Sequence, residues 1–159
     1  MDLDNTWNYS YVAVVYLGTP PQPIKALFDT GSANAWIVGK ESIETRTTGK
    51  SWTHDDQFNY FDIEKTTSVE VPPDYTRNSV VITFGSGKLQ GYFVKDHCML
   101  GDVEDPENQL KINMFQFGYV TKQTVFTGGF DAIIGLAYPA MAEPGVEPFF
   151  DAMMREKIL

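Results

Sequence analysis

The chain is predicted to be mainly β, and three observations carry that expectation. Runs of β-branched and aromatic residues recur between turn signals made of Gly, Pro, Asn and Asp. These apolar runs are short, and no internal repeat or linker separates them into units. Helix signals gather in one place only, close to the carboxy end. With 159 residues, 43% of them apolar and 21% charged, residues 1–159 are expected to form a single domain with its own core.

The elements follow in order. Residues 9–17 (YSYVAVVYL) read as a strand, closed by Gly18, Thr19, Pro20 and Pro21, since proline cannot donate to a ladder. Residues 24–28 form a second strand, Asp29-Thr30-Gly31-Ser32 a turn, and residues 35–38 a third strand. Residues 39–57 are polar and without periodicity, which predicts a surface loop. Residues 79–84 and 88–99 flank Gly85-Ser86-Gly87 and read as a β-hairpin. An acidic loop over 101–109 precedes a strand over 112–121 and a short buried strand over 132–134. Pro148 fits the first turn of a helix over FFDAMMREK, with Phe149, Met153 and Met154 expected on one face.

Charge and composition narrow the function. The formal charge is -9, from 12 Lys+Arg against 21 Asp+Glu, which argues against a nucleic-acid backbone as partner. The acidic balance suits work at low pH and equally suits plain solubility. No apolar run reaches the roughly 18 residues of a membrane span, and MDLDNTWNYS lacks the regions of a signal peptide. The single cysteine, Cys98, forms no intrachain disulfide, and with His54 and His97 it gives neither CxxC nor HExxH spacing, so no metal is expected. Gly49-Lys50-Ser51 lacks the first glycine of a P-loop, whose place Glu44 takes, and the Gly85 region lacks GxGxxG spacing. No G-x-S-x-G elbow accompanies a histidine. Asn8-Tyr9-Ser10 is a glycosylation sequon, a match that arises often by chance.

The segment that carries chemistry is Phe28-Asp29-Thr30-Gly31-Ser32. Apolar residues before Asp29 and a glycine two places after it would hold a carboxylate at the end of a buried strand. Alone, the four letters equally fit an aspartate in an Asx-type turn. Their surroundings decide. The stretch YVAVVYLGTPPQPIKALFDTGSANAWIVG resembles the start of pepsin-like and cathepsin D-like aspartic endopeptidases, with Tyr11, Leu17-Gly18-Thr19-Pro20, Gln22, Asn34 and Trp36 in the family's order. ITFGSGKLQGYFVKD resembles that family's flap hairpin, and FDAIIGLAYPAMAEPGVEPFFDAMMREKIL its hydrophobic-hydrophobic-Gly segment and following helix.

The resemblance implies a pepsin-type lobe, barrel-like, with a short C-terminal helix. In that family each of two lobes supplies one Asp, and only one D-T-G occurs here, so the chain is expected to be the amino-terminal lobe alone. Asp29 would be the catalytic residue of this half. Ser32 would hydrogen-bond Asp29 and help fix its ionised form, Thr30 would bond across to the other lobe, and Gly31 would let the backbone approach. Ile133-Ile134-Gly135 would pack beneath. The hairpin would be a flap, with Gly85 and Gly87 at a mobile tip and Ser86 bonding substrate backbone. Phe84 stands where the family usually has a Tyr that bonds the residue matching Trp36, so the ring is kept and the hydroxyl lost. Leu27, Phe84, Phe126, Phe130 and Ile133 would line apolar subsites, with plain core as the competing reading for each.

The implied function is hydrolysis of peptide bonds by water activated between two carboxylates, with no cofactor. Implied partners are an extended peptide or protein substrate, pepstatin-like inhibitors, and a second acid from a carboxy-terminal lobe or a twofold-related copy. The implied location is secreted or an acidic, lysosome-like or vacuolar compartment. A peptide-binding or inhibitor protein that keeps the protease fold without turnover is the alternative.

Overall fold

The structure, a computed structural model, describes residues 4–6, 10–44, 59–75, 77–84, 87–124 and 129–158, with backbone alone at 4–6, 10, 43, 44, 84 and 106. Eight strands make one sheet: β1 (Asp4–Thr6), β2 (Ser10–Leu17), β3 (Gln22–Asp29), β4 (Ala35–Val38), β5 (Val80–Phe84), β6 (Gly87–Leu100), β7 (Leu110–Gln123) and β8 (Ala132–Gly135). Their order is β1-β2-β3-β8-β4-β7-β6-β5. Residues 15–17 of β2 also pair with residues 98–100 of β6, so six strands close on themselves as a barrel while β1 and β5 lie outside the ring. Closure joins β2 to β6 within the ring, and only β1 and β5 remain as end strands of the sheet.

The barrel follows from the strand patterns. In β2, Val15 and Leu17 are fully buried while Val14 is exposed, the period-two alternation of a strand with one wet face. In β4 and β8 every residue is buried, as expected of strands packed on both faces. A large core cluster joins Ile24, Ile37, Phe61, Phe115, Phe117 and Tyr119 with Phe149 and Met153 of α2 (Phe149–Arg155). A second cluster holds Trp36, Val38, Leu89, Val120 and Ile133. Gly118 lets the Trp36 ring come close to β7, since a Cβ there would stand 2.3 Å from the ring.

Most of the predicted elements are present with extended bounds: β3, β7 and β8 each run further than the apolar pattern indicated. Two expectations need correction, and one strand was not foreseen. Residues 39–57 are not all loop, because α1 (Lys40–Glu44) opens the segment and Gly39 bridges to Phe61. Tyr119 donates a hydrogen bond to Glu41, and Ser42 is 2% exposed, so tertiary contact holds this helix where periodicity gave no sign of it. Residues 45–57 lie outside the described residues. Met154 does not share the face of Phe149 and Met153: it is 56% exposed, because a residue five places on falls well round the helix whereas one four places on does not. β1 was not anticipated at all.

Buried carboxylates staple the remaining segments. Asp96 is fully buried and accepts from Thr66 Oγ1 (2.8 Å), Ser68 Oγ (2.6 Å) and the His97 N–H (2.7 Å). Gln22 and Asp62 exchange two hydrogen bonds, Nε2 to the Asp62 carbonyl at 3.0 Å and the Asp62 N–H to Oε1 at 2.9 Å. Asp131 accepts from the N–H groups of Lys25 (3.0 Å) and Asn59 (2.9 Å), and its burial pushes the carboxyl above its ordinary value. No described helix is long and apolar enough to cross a membrane.

Candidate active site

Asp29 ends β3, which runs parallel to β8 with Asp29 opposite Gly135. Its carbonyl accepts the Leu136 N–H at 2.8 Å. The chain then turns through exposed Thr30 and Gly31. The Gly31 N–H donates to Asp29 Oδ1 at 2.9 Å and the Ser32 hydroxyl to Oδ2 at 2.6 Å. Both carboxylate oxygens are therefore held from inside the turn by short, charge-assisted bonds. The Asp29 side chain is half-buried.

The turn is braced from a distant stretch of sequence. The Ser32 carbonyl accepts the Ala137 N–H (2.9 Å), and the Asn34 carbonyl accepts the Gly135 N–H (3.0 Å). Asn34, 6% exposed, takes the Glu143 N–H on its side-chain oxygen at 2.9 Å. Gly135 makes a close approach to this turn: a Cβ there would lie 2.5 Å from the Ser32 carbonyl oxygen and 2.6 Å from Ala33. Residues 132–135 thus pack under the aspartate turn, and the glycine is demanded by the closeness of two backbones.

Leu27, Trp36, Phe130 and Ile133 come together. Leu27 and Phe130 are partly buried against the cluster that contains Trp36 and Ile133, and Leu27 pairs directly with Ile133. Trp36 is 1% exposed and its ring meets that of Phe93 at a tilt of 51° with centroids 5.2 Å apart, so the ring is core in this chain. β5 and β6 form the expected hairpin, with Val80 opposite Gly91 and Phe84 opposite Gly87. Val80 and Ile82 rest on that same cluster, which anchors the hairpin base beside β3. Gly85, Ser86 and Phe126 lie outside the described residues, as does the Phe84 side chain.

On the other side of the turn, a cavity of about 410 Å³ is lined chiefly by apolar groups and reaches Thr30. A second, polar pocket of about 260 Å³ holds Lys40, Asp62 and Glu64, with Lys40 Nζ 3.0 Å from Glu64 and 3.5 Å from Asp62. Among the described residues no group of three or more His, Cys, Asp or Glu side chains is placed to hold a metal.

Sequence reasoning missed Asn34 as a brace, and the Gln22–Asp62 and Asp131 staples. The only signal for Asn34 was its place in the motif, since its partner lies 109 residues away.

Comparison with known proteins agrees with this geometry. A family model described as eukaryotic aspartyl protease matches residues 10–159. Cathepsin D of Chionodraco hamatus is 34% identical over 160 residues, covering 98% of this chain and 36% of the relative. Pregnancy-associated glycoprotein 2 of Bos taurus is 32% identical, covering 94% and 35%, and renin of Ovis aries 29% identical, covering 99% and 36%. The chain spans little more than a third of the length of these relatives. A barrel of this pattern, an aspartate turn braced by Gly135 and a match over nearly the whole length place the chain in the eukaryotic aspartyl protease family.

Proposed function

We propose that this chain is the amino-terminal lobe of an aspartic endopeptidase and supplies Asp29 as one of two catalytic carboxylates. The observation that carries the reading is the Asp29 carboxylate, fixed by Gly31 and Ser32 at the end of β3 and half open to whatever faces the turn. A second acid opposite it would share one proton with Asp29, because two close carboxylates do not both ionise cheaply. The ionised member then takes a proton from water as the oxygen attacks the scissile carbonyl carbon. The protonated member gives its hydrogen bond to the carbonyl oxygen. A tetrahedral diol forms, and its collapse passes a proton to the departing amine, with no covalent bond to the enzyme and no cofactor.

Thr30, exposed at the tip of the turn, is suited to bond across to the facing lobe. Leu27, Phe130 and Ile133, with the hairpin carrying Phe84, Gly85, Ser86 and Gly87, would form the apolar, closing side of the cleft for an extended peptide. Family membership supports a secreted or acidic, lysosome-like location and inhibition by pepstatin-like peptides. The test is peptidase activity of the full gene product between about pH 3 and 6, where a carboxylate dyad operates. Asp29→Asn should abolish cleavage, and activity insensitive to that substitution overturns the reading. Phe84, which lacks the hydroxyl usual at its position, favours one alternative: a protein that binds peptides without cleaving them. Tight binding of pepstatin-like inhibitors with no turnover at any pH would establish that alternative.

A further inference from the structure

The aspartate turn joins β3 to β4, and β8 lies between those two strands. β8 runs parallel to β3 and antiparallel to β4. Asp131 stands just before it, at the end away from the turn, and bonds to both neighbours. Its N–H donates to the Lys25 carbonyl (2.6 Å), and its Oδ2 accepts the Lys25 N–H (3.0 Å). Its carbonyl accepts the Val38 N–H (3.0 Å), and Oδ1 accepts the Asn59 N–H (2.9 Å). One buried residue thus ties β8 to the strand that ends in Asp29 and to the strand that leaves the turn.

We infer that Asp131 is a positioning residue for Asp29: its carboxylate fixes how far β8 reaches between β3 and β4, and so sets Gly135 under the aspartate turn. The inference rests on the two-carboxylate reading and adds to it a group at the opposite end of β8. Longitudinal position matters here because Gly135 faces Asp29 where a Cβ would lie 2.5 Å from the Ser32 carbonyl oxygen. A slide of one residue brings Ile134 or Leu136, each with a Cβ, to that place. Register is ordinarily fixed by one buried face. All four residues of β8 are buried, so a slide exposes no apolar side chain to water and the hydrophobic pattern specifies the register weakly. The polar contacts of Asp131 supply that specification. At the near end, the Gly135 N–H bond to Asn34 and the Ala137 N–H bond to Ser32 pass the position of β8 on to the turn. Ser32 in turn holds Asp29 Oδ2.

The test measures turnover per intact active site in the full gene product, with sites counted by titration against pepstatin. Asp131→Ala removes both acceptors and Asp131→Asn keeps one. The alanine variant should lose about 10- to 100-fold in kcat per site, and the asparagine variant about threefold or more, with KM within about twofold of wild type. Asp96→Asn is the control. That carboxylate is also buried but bonds Thr66, Ser68 and His97, so the variant should lose sites while keeping wild-type turnover at those that remain. A purely structural role predicts the Asp96 pattern for Asp131 as well. Turnover per site within about twofold of wild type in Asp131→Asn overturns the inference, and so does an equal loss of turnover in Asp96→Asn. If Asp131→Ala gives no titratable sites, Asp131→Asn decides alone. The two-carboxylate reading is judged by the Asp29→Asn assay. A wild type without Asp29-dependent cleavage ends both readings, whereas a cleaving wild type matched per site by the Asp131 variants ends only this one.

Discussion

Gly135→Ala tests the link between packing and site most directly. The added Cβ would lie 2.5 Å from the Ser32 carbonyl oxygen, and ordinary contact begins at 3.4 Å, so about 0.9 Å of backbone movement is required. The obstructing atoms belong to the backbone of Ser32 and Ala33, not to a flexible side chain that swings away. Overpacking of this kind costs about 1–3 kcal/mol. A domain of this size loses roughly 2–4 °C in Tm per kcal/mol, so the midpoint should fall by roughly 2–12 °C. The same movement displaces Ser32, whose hydroxyl holds Asp29 Oδ2 at 2.6 Å. A misplacement near 1 Å at a reacting centre costs about 10²-fold in rate, so kcat of the full gene product should drop by roughly that factor. Thermal melts followed by circular dichroism read the first effect and peptide cleavage the second. An unchanged midpoint would refute the close-approach argument. A lowered midpoint with unchanged kcat would leave the packing intact and refute its coupling to Asp29.

Other expectations concern groups whose environment is explicit. Burial holds the Asp131 carboxyl above its ordinary 3.8, so the folded chain binds this proton more tightly than the unfolded one. Its contribution to stability is present below that ordinary value and is lost as pH rises through the raised one. Asp131→Asn should flatten this part of the pH dependence in urea titrations, and should cost about 1–3 kcal/mol throughout, because an amide nitrogen then confronts the Lys25 or Asn59 N–H; an unchanged slope contradicts it. Cys98 is fully buried and its thiol is pushed up to about 12, so a disulfide reagent near pH 8, about the value at which an exposed thiol ionises, should label it only after denaturation. Met154→Lys should change stability by less than about 0.5 kcal/mol, whereas Met153→Lys, at a buried position, should cost about 3 kcal/mol or more. Equal effects would contradict the assigned helix face.

Strand identity was legible because it depends on local alternation, and β2, β4 and β8 lie close to where that pattern put them. Residues held by distant partners were not legible. α1 owes its place to Tyr119, 78 residues beyond the Glu41 it contacts, and Asp131 reaches Lys25 across 106 residues. Neither pairing leaves a periodic trace. The aspartate turn differs because its bonds are local: Gly31 and Ser32 lie two and three residues from the carboxylate they hold. The motif therefore encodes its own geometry, and the brace through Asn34 and Glu143 had to await the fold.

The alternation of β3 also explains why Asp29 sits at a boundary. Leu27 packs into the Trp36 cluster and Phe28 against the main core beside the open cavity, since neighbouring residues on a strand face opposite sides. The hairpin base rests on the Leu27 side. The hairpin base and the open cavity thereby lie against neighbouring residues on opposite faces of one strand. A site arranged this way has little reason to enclose Asp29 within its own lobe. Its half-exposed carboxylate takes one hydrogen bond on each oxygen, from Gly31 and Ser32, and so keeps acceptor capacity that the proposed two-carboxylate mechanism would use.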